Sequence, residues 1–299
     1  MMLVAFIINS QSVKAKAAMH ALSRAFAEEH KFLTTSHAGN ARELATQCCN
    51  AGFTHVIAVG GDGTLNEVVD GMMMSSNTAL ELPILSFIPC GTGNDFARNF
   101  GITGSIDAFV HRIKEGQATY SDVGAVTFSA SHGTAIKRHF INVMDIGLGG
   151  SIARKVNTYR RSHWSILAYQ RGIISTLPFY RKTVIEINSP QLNYTGPVLS
   201  VVLANGKWFG NGLGIAPNAN TSNGQLSLVL LGRVGIMEYI LNLPNILRCK
   251  PIRHREIKYA ECKEVHLGGE PTAMELDGEF VGYSPCFVQV KARALRLLL

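Results

Sequence analysis

The chain has 299 residues, of which 46% are hydrophobic, and a formal net charge of +7. This length and apolar content predict a folded, soluble protein with one large domain or two modest ones, and they argue against a disordered chain. The charge favours anionic partners without choosing among nucleotides, nucleic acids and anionic lipids.

The opening residues and the cysteines indicate the compartment. The apolar run at residues 3–8 is too short to cross a bilayer and has no basic leader before it, so we expect a buried first strand. The six cysteines form no CxxC pair and no metal-ligand spacing. We therefore expect a protein of the reducing cytoplasm.

Strand-like and helix-like runs alternate along the first part of the chain, from LVAFII at residues 3–8 to ILSFIP at residues 84–89. Such alternation is typical of a parallel sheet covered by helices, and we place this α/β domain, of Rossmann-like type, at residues 1–122. The final LRLLL is strand-like and could join the sheet of either domain.

The remaining chain, residues 123–290, consists of short strand-like segments separated by Gly, Asn and Pro. This composition predicts a second, mainly β domain. Two helical insertions are expected within it, at residues 151–177 and 234–247.

The segment VGGDGTLNE, residues 59–67, follows the apolar run that starts at His55. Its glycines allow tight backbone turns, and Thr64 with Glu67 has the spacing of a capping box at a helix start. Free amides at such a start bind phosphate oxygens, and Asp62 would then hold Mg²⁺ beside the phosphates. The alternative is a simple tight turn; the segment lacks the lysine of a Walker loop.

A second glycine loop, PCGTGNDFAR at residues 89–98, follows the ILSFIP run. Loops at the carboxyl ends of two parallel strands converge on one crevice, so both loops are expected in the same ligand site. Asp95 could instead be a charge at a helix N-terminus, and Arg98 a solvated surface charge.

The segment LDGE near the end of the chain contains a second pair of carboxylates, Asp277 and Glu279. Two residues apart on a regular strand, they would share one face, and Gly278 would allow a bend. The alternative is a surface hairpin turn.

These segments, together with LANGKWFGNGLGIAPNANTSNGQLSLVLL, resemble in their order the diacylglycerol kinase catalytic domain family, and within it the bacterial soluble lipid kinases. The resemblance covers nearly the whole chain. It implies a nucleotide-binding α/β domain, a C-terminal β-sandwich for the lipid, and transfer of the ATP γ-phosphate to a diacylglycerol-like hydroxyl. It also implies that residues 291–299 return to the first domain.

The resemblance assigns roles to individual positions. It makes Asp277 the general base and Glu279 its orienting or metal-linked neighbour, and it implies Mg²⁺ ligands among Asp62, Asp95 and Asp277. The positions expected to bind ATP are Asn9, Thr35, Gly60, Gly61, Asp62, Gly63, Thr64, Glu67, Gly91, Thr92, Gly93, Asn94 and Asp95.

Three positions depart from the family pattern. Ser10 and Val13 replace the usual Pro and Gly of the first loop, and Asn223 replaces a usual Asp before Gly224. The Asn-Gly pair suits a hairpin, and a metal site that uses this position would be weakened.

Basic and aromatic residues recur in two segments, Arg154–Arg171 and Arg248–Lys258. They are either a solvated face with core aromatics or a dock for an anionic membrane leaflet. No nucleic-acid module is recognised. We therefore expect a cytoplasmic enzyme that contacts the inner membrane face peripherally, and a homodimer is left open.

Two other functions are compatible with parts of the sequence. NAD kinases and phosphofructokinases also contain GGDG loops, although the later GTGND, APNAN and LDGE segments argue against both. A regulatory protein that binds nucleotide or lipid without catalysis would explain Ser10, Val13 and Asn223, but the four carboxylates Asp62, Asp95, Asp277 and Glu279 argue against it.

Overall fold

The computed structural model describes residues 2–26, 30–75, 78, 81–130, 133–159, 176 and 180–299. The chain divides into two compact units, unit 1 with residues 1–123 and 292–299 and unit 2 with residues 124–291. Strands β5 (Ala118–Ser129) and β16 (Cys286–Leu298) contribute residues to both.

Unit 1 alternates strands and helices as the sequence predicts. Its other elements are β1 (Val4–Ile8), α1 (Val13–Ala25), β2 (Lys31–Thr34), α2 (Asn40–Asn50), β3 (His55–Gly60), α3 (Asp62–Met74), β4 (Ile84–Pro89), α4 (Asp95–Arg98) and α5 (Ile106–Glu115).

The strands of unit 1 form a parallel sheet in the order β2-β1-β3-β4. Every residue of β1 is buried, because helices cover both faces of a parallel sheet. The end of β16 adds a parallel strand beside β4, where Leu297 pairs with Leu85. The final apolar residues thus pair with the sheet of unit 1.

Unit 2 is built mainly of antiparallel strands. Its elements are β6 (Ala135–Phe140), β7 (Val143–Gly147), α6 (Leu148–Tyr159), β8 (Thr183–Asn188), β9 (Asn193–Val198), β10 (Ser200–Ala204), β11 (Leu226–Leu231), α7 (Ile236–Leu247), β12 (Ile257–Cys262), β13 (Glu264–Gly269), β14 (Ala273–Leu276) and β15 (Glu279–Tyr283).

One sheet of unit 2 has the strand order β12-β11-β10-β7-β14-β15, and β8, β9, β13 and the beginning of β16 form the facing sheet. Side chains of alternate residues on both sheets, such as Met144, Val201 and Val265, pack into one core. The fold is therefore the predicted β-sandwich.

The other face of the six-stranded sheet is also buried. Val143, Val202 and Val229 point away from the sandwich core and join a second apolar cluster with Ile152 of α6 and Ile246 of α7. This second layer explains why β7, β10 and β11 are apolar at consecutive positions instead of alternating.

The two helical insertions have different outcomes. The second is α7, which begins two residues later than predicted. The first contains α6, which begins three residues earlier than predicted and is described to Tyr159. The rest of the predicted range, apart from residue 176, lies outside the described residues, and so do Arg160, Arg161, His163, Trp164 and Arg171. Among the described helices, none is long and apolar enough to span a membrane.

Candidate functional site

In unit 1, the predicted nucleotide residues lie at the carboxyl ends of β1, β2, β3 and β4. The two glycine loops after β3 and β4 touch each other: a Cβ added to Gly91 would lie 2.5 Å from the Cα of Gly61. A Cβ on Gly60 would overlap the side chain of Thr64. Glycine is therefore required at position 91 by the close approach of the loops, and at position 60 by the Thr64 side chain of the same loop.

Gly63 differs from the other loop glycines. A Cβ added there would meet no atom within 4 Å, and its backbone lies within α3. Neither packing nor backbone angle requires glycine at this position, where alanine would favour the helix. A ligand that approaches the backbone closely would account for it.

Helix α3 begins at Asp62, with Gly61 as N-cap and without a side-chain cap. The predicted capping box of Thr64 and Glu67 is wrong. The Glu67 carboxylate instead accepts hydrogen bonds from the amides of Gly39 (2.9 Å) and Ala41 (3.1 Å) at the start of α2. The first turn of α3 thus lacks a side chain that would compete with an anion for its amides.

Asp62 and Asp95 approach each other across the two loops. A Cβ on Gly93 would lie 3.1 Å from Asp62 Oδ2 and 3.3 Å from Asp95 Oδ2, so both oxygens face the same small space. Asp62 Oδ1 accepts the amide of Phe96 (3.2 Å), and Arg98 Nε lies 3.4 Å from Asp95 Oδ1. Both carboxylates are therefore held in fixed orientations.

Asn9, Thr35 and Thr64 connect the loop after β1 to the same region. Asn9 Nδ2 donates to Thr64 Oγ1 (3.0 Å), and Ser10 donates its amide to Thr35 Oγ1 (3.1 Å). Although Ser10 departs from the family pattern, its backbone is thus ordered. Asn94 has a left-handed φ of 49°, and its Oδ1 accepts the amide of Gly91 at 3.0 Å.

The sequence analysis missed the ion pair that fixes α3 against α2. Arg42 Nε lies 2.7 Å from Asp70 Oδ2, and the Asp70 side chain is fully buried. Thr46 Oγ1 also donates to the carbonyl of Gly71 (2.8 Å), where a Cβ would overlap the carbonyl of Arg42. The acidic residue of VVDG in the sequence is the signal for this contact.

The carboxylates of Asp62 and Asp95 are the candidate ligands for Mg²⁺ in unit 1. The described residues contain no group of three His, Cys, Asp or Glu side chains that could hold a metal. Mg²⁺ usually keeps several waters and uses one or two carboxylates together with substrate phosphates. The pair Asp62 and Asp95 fits that pattern, and the assignment of Asp62, Asp95 and Asp277 as metal ligands stays a prediction.

In unit 2, Asp277 and Glu279 lie at a hairpin and not on one regular strand. Asp277 and Gly278 have φ of 48° and 87° and join β14 to β15, so the shared-face interpretation is wrong. The Asp277 carboxylate accepts the amides of Ile141 (2.9 Å), Asn142 (3.1 Å) and Val143 (2.7 Å).

The same turn between β6 and β7 holds the LANGKW segment. Asn205 Nδ2 donates to the carbonyl of Ile141 (2.7 Å), and Asn142 Nδ2 donates to the carbonyl of Trp208 (2.7 Å). Asn205 is fully buried. Residues 141–143 thus bring together two segments that lie about 70 residues apart in the chain.

The neighbours of the hairpin have their own partners. Glu279 lies 3.4 Å from Arg138 Nη2 in a part-buried pair, and Glu275 Oε2 accepts the amide of Gly278.

Asn223, which departs from the family pattern, accepts the amide of Gln225 (3.1 Å) in an exposed turn before β11. Asn223 and Gly224 thus lie near the end of the long connection between the paired strands β10 and β11, and not in a two-residue hairpin loop.

Asp145 of β7 was also missed. It lies in the second apolar layer, and both carboxylate oxygens are within 3.1 Å of Ser200 Oγ. Burial raises the pKa of Asp145 to about 7, although hydrogen bonds from Ser200 and the Gly149 amide act in the opposite direction. A lone acid in the apolar run VMDIG is the sequence signal.

Two models of known protein families match this chain, one in each part. The family model described as the diacylglycerol kinase catalytic domain matches residues 3–126, and that of the YegS C-terminal NAD kinase beta sandwich-like domain matches residues 142–299. The second alone covers more than half of the chain.

Among curated relatives, a diacylglycerol kinase of Bacillus subtilis is 29% identical over 264 residues, which are 86% of this chain and 83% of that protein. A probable YegS-like lipid kinase of Pseudomonas putida is 25% identical and covers 79% and 77% of the two chains. The structure of a putative diacylglycerol kinase from Bacillus anthracis has the same fold, with a TM-score of 0.77, 21% identity and coverage of 99% and 96%. The chain belongs to the diacylglycerol kinase catalytic domain family, among the bacterial lipid kinases.

Proposed function

We propose that the protein transfers the γ-phosphate of ATP to a hydroxyl group of a diacylglycerol-like lipid in a Mg²⁺-dependent reaction. The observation that carries this proposal is the glycine loop at the start of α3. There, Gly63 is required by neither packing nor conformation, and the Asp62 carboxylate faces, together with that of Asp95, one space beside Gly93 of the second glycine loop. This is an arrangement suited to phosphate and a divalent cation.

On the donor side, the backbone amides at the start of α3 would bind phosphate oxygens, aided by the helix dipole. Asp62 and Asp95 would hold Mg²⁺, which, when bound, supplies neutralisation of the negative charge on the β- and γ-phosphate oxygens. The Phe96 amide keeps Asp62 oriented, so the carboxylate does not need to reorganise when a nucleotide binds.

On the acceptor side, Asp277 would accept the proton of the lipid hydroxyl. Its three amide bonds hold the carboxylate in a fixed orientation. A positioned carboxylate suffices, because the loose transition state of phosphoryl transfer forms little bond to the attacking oxygen and the proton can leave late. Glu279 would orient this region through Arg138.

The two rival functions predict different uses of these residues. A binding protein without catalysis would not need the Asp277 carboxylate, and a NAD kinase-like enzyme would accept a nucleotide hydroxyl. Support for the lipid kinase comes from the four retained carboxylates and from the names of the curated relatives. We also propose that the protein reaches its acceptor from the cytoplasm, at the membrane surface.

The test is an assay with labelled ATP and a panel of lipids that includes diacylglycerol, monoacylglycerol, phosphatidylglycerol, undecaprenol and a sphingoid base. We expect labelled phosphate in a lipid product only when Mg²⁺ is present. ATP binding without transfer to any lipid would favour the regulatory protein, whereas transfer to NAD and to no lipid would favour the NAD kinase-like enzyme.

A further inference from the structure

Helix α7 has a continuous apolar face exposed to solvent. Met237, Ile240, Leu241 and Leu247 are exposed by 67%, 44%, 74% and 52%, and Pro244 between them is also exposed. At 3.6 residues per turn, these five side chains cover roughly a third of the helix circumference. We call this set the α7 stripe.

The opposite side of α7 faces the protein. Ile246 is buried, and Tyr239 packs against the apolar layer on the outer face of the six-stranded sheet. The helix is therefore already anchored by one face, and the α7 stripe is a second apolar face that folding of unit 2 does not use. A surface helix of a globular protein usually presents polar residues there.

Basic residues lie near both ends of α7. Arg248 ends α7, and Lys250 continues from it, since its amide donates to the carbonyl of Asn245. The chain then returns to the beginning of α7, where His254 Nε2 lies 3.4 Å from Glu238 Oε1 and the Glu256 carboxylate accepts the amide of Arg233. The segment thus passes both ends of the helix.

Residues 233–258 carry six Lys and Arg against two Glu, a net charge of +4, which is more than half of the chain's +7. The six basic side chains are exposed. They are Arg233, Arg248, Lys250, Arg253, Arg255 and Lys258. Lys258 lies in β12 between Ile257 and Tyr259, which face the layer under α7, so its side chain points to the other face of the sheet. The other five are the basic border of the stripe.

We propose that the α7 stripe and its basic border form the surface by which the protein docks on an anionic lipid leaflet. This inference rests on the proposed function, because it assigns a lipid-facing surface to a lipid kinase. An interfacial helix inserts its apolar face into the acyl boundary, while Lys and Arg beside it meet the anionic head groups.

The charges and side-chain types favour an anionic leaflet over a second copy of the chain and over single-stranded nucleic acid. A symmetric dimer through the stripe would place the same positive border against itself, which costs energy. Single-stranded nucleic acid binds basic grooves through stacking on aromatic rings, and the five side chains of the stripe are aliphatic. An anionic leaflet would accept the apolar stripe at its acyl boundary and the basic side chains at its head groups.

Vesicle co-sedimentation tests the proposal, with phosphatidylglycerol–phosphatidylcholine vesicles and with phosphatidylcholine alone. We expect the wild type to prefer the anionic vesicles. The double variant Met237→Gln/Leu241→Gln should bind them at least about tenfold more weakly. Arg253→Gln/Arg255→Gln should lose about thirtyfold at low ionic strength and much less at high salt.

The matched control is Met74→Gln, since Met74 is a 56% exposed methionine near the end of α3 in unit 1. It should bind vesicles like the wild type. All variants replace exposed side chains, so their thermal unfolding should be unchanged. A wild type that binds no vesicle, or a stripe variant that binds like the wild type, would overturn the proposal.

Two further measurements separate docking from catalysis and from dimerisation. With a short-chain acceptor dissolved as monomers, the stripe variant should turn over like the wild type, while its rate on vesicles falls. Vesicle binding without phosphorylation of any lipid would reject the kinase and leave the dock in place. A wild-type dimer that becomes a monomer in the stripe variant would show an interface between copies and overturn the dock.

Discussion

The carboxyl group of Asp145 is fully buried between β7 and β10, with Ser200 as its hydrogen-bond partner. Burial disfavours the charged form, so the pKa rises from an ordinary value of 3.8 to about 7. The folded protein therefore binds this proton more tightly than the unfolded chain does. Stability from this group is fully present below about pH 4 and is lost as the pH rises to about 7.

Asp145→Asn should remove this pH dependence, because the amide resembles the protonated acid and does not titrate. We expect the unfolding free energy of the wild type to fall relative to the variant between about pH 4 and pH 7, by on the order of 4 kcal/mol. Denaturant unfolding at several pH values measures it. The exposed Asp107→Asn serves as the control, and parallel curves for wild type and Asp145→Asn would contradict the buried acid.

Asp277→Asn tests the proposed base. Removal of the basic oxygen should reduce lipid turnover by on the order of 10²-fold or more, while ATP binding is retained. The new side chain keeps one acceptor oxygen for the Asn142 and Val143 amides, but its NH2 group faces the Ile141 amide, which costs about 1–3 kcal/mol of stability. Turnover must therefore be measured at a temperature where unfolding curves show a folded protein.

Asn142→Ala is the matched control for Asp277→Asn. It removes the bond to the Trp208 carbonyl in the same turn but leaves the Asp277 carboxylate in place. We expect a much smaller loss of turnover than for Asp277→Asn. Equal losses in both variants would assign the effect to the geometry of the turn and would remove Asp277 as the base.

Helix α3 begins at the first glycine loop, and its later turns contact α2. One glycine lies in each of these two regions, Gly63 at the start of the helix and Gly71 at the contact with α2. A Cβ on Gly71 would overlap the Arg42 carbonyl of α2, whereas a Cβ on Gly63 would meet nothing within 4 Å. Gly71 is therefore required by packing, whereas the structure gives no packing reason for Gly63, which we propose to be required by the ligand.

Gly71→Ala should destabilise the protein by at least about 2 kcal/mol, because α2 and α3 are forced apart. Gly63→Ala should leave stability unchanged or raise it by up to about 1 kcal/mol, since alanine favours the helix. It should nevertheless weaken ATP binding by at least about tenfold. Thermal unfolding and titration with a fluorescent ATP analogue measure both effects, and wild-type affinity in Gly63→Ala would refute the ligand role.

Periodicity predicted the α/β part, because the buried strands of a parallel sheet and the helices between them leave strong local patterns. The capping-box prediction is wrong because the hydrogen-bond partners of Glu67 are distant in the sequence, so a local pattern cannot identify them. Glu67 accepts amides of Gly39 and Ala41, which lie 28 and 26 residues earlier in the chain. The hairpin at Asp277 was only one of two interpretations, because its three amide partners lie more than 130 residues away.

At the scale of the whole molecule, charge and apolar surface are unevenly distributed. The segment 233–258 holds a net +4, and the exposed stripe of α7 lies within it. The sequence names residues 248–258 as one of two segments that are either a solvated face or a dock for an anionic leaflet, and it does not identify the apolar stripe beside them. The location required the helix orientation, which shows that Tyr239 and Ile246 face the sheet while Met237 and Leu241 face solvent.

We propose that Asp62 and Asp95 form the Mg²⁺-dependent donor site of the lipid kinase, and the variant Asp62→Asn removes one of its two carboxylates. The measurement is the rate of lipid phosphorylation across a Mg²⁺ titration, for the wild type and the variant. We predict no transfer without Mg²⁺, and for the variant at least a tenfold higher Mg²⁺ requirement together with a lower maximal rate. Identical Mg²⁺ curves and rates for the two proteins would contradict the donor site.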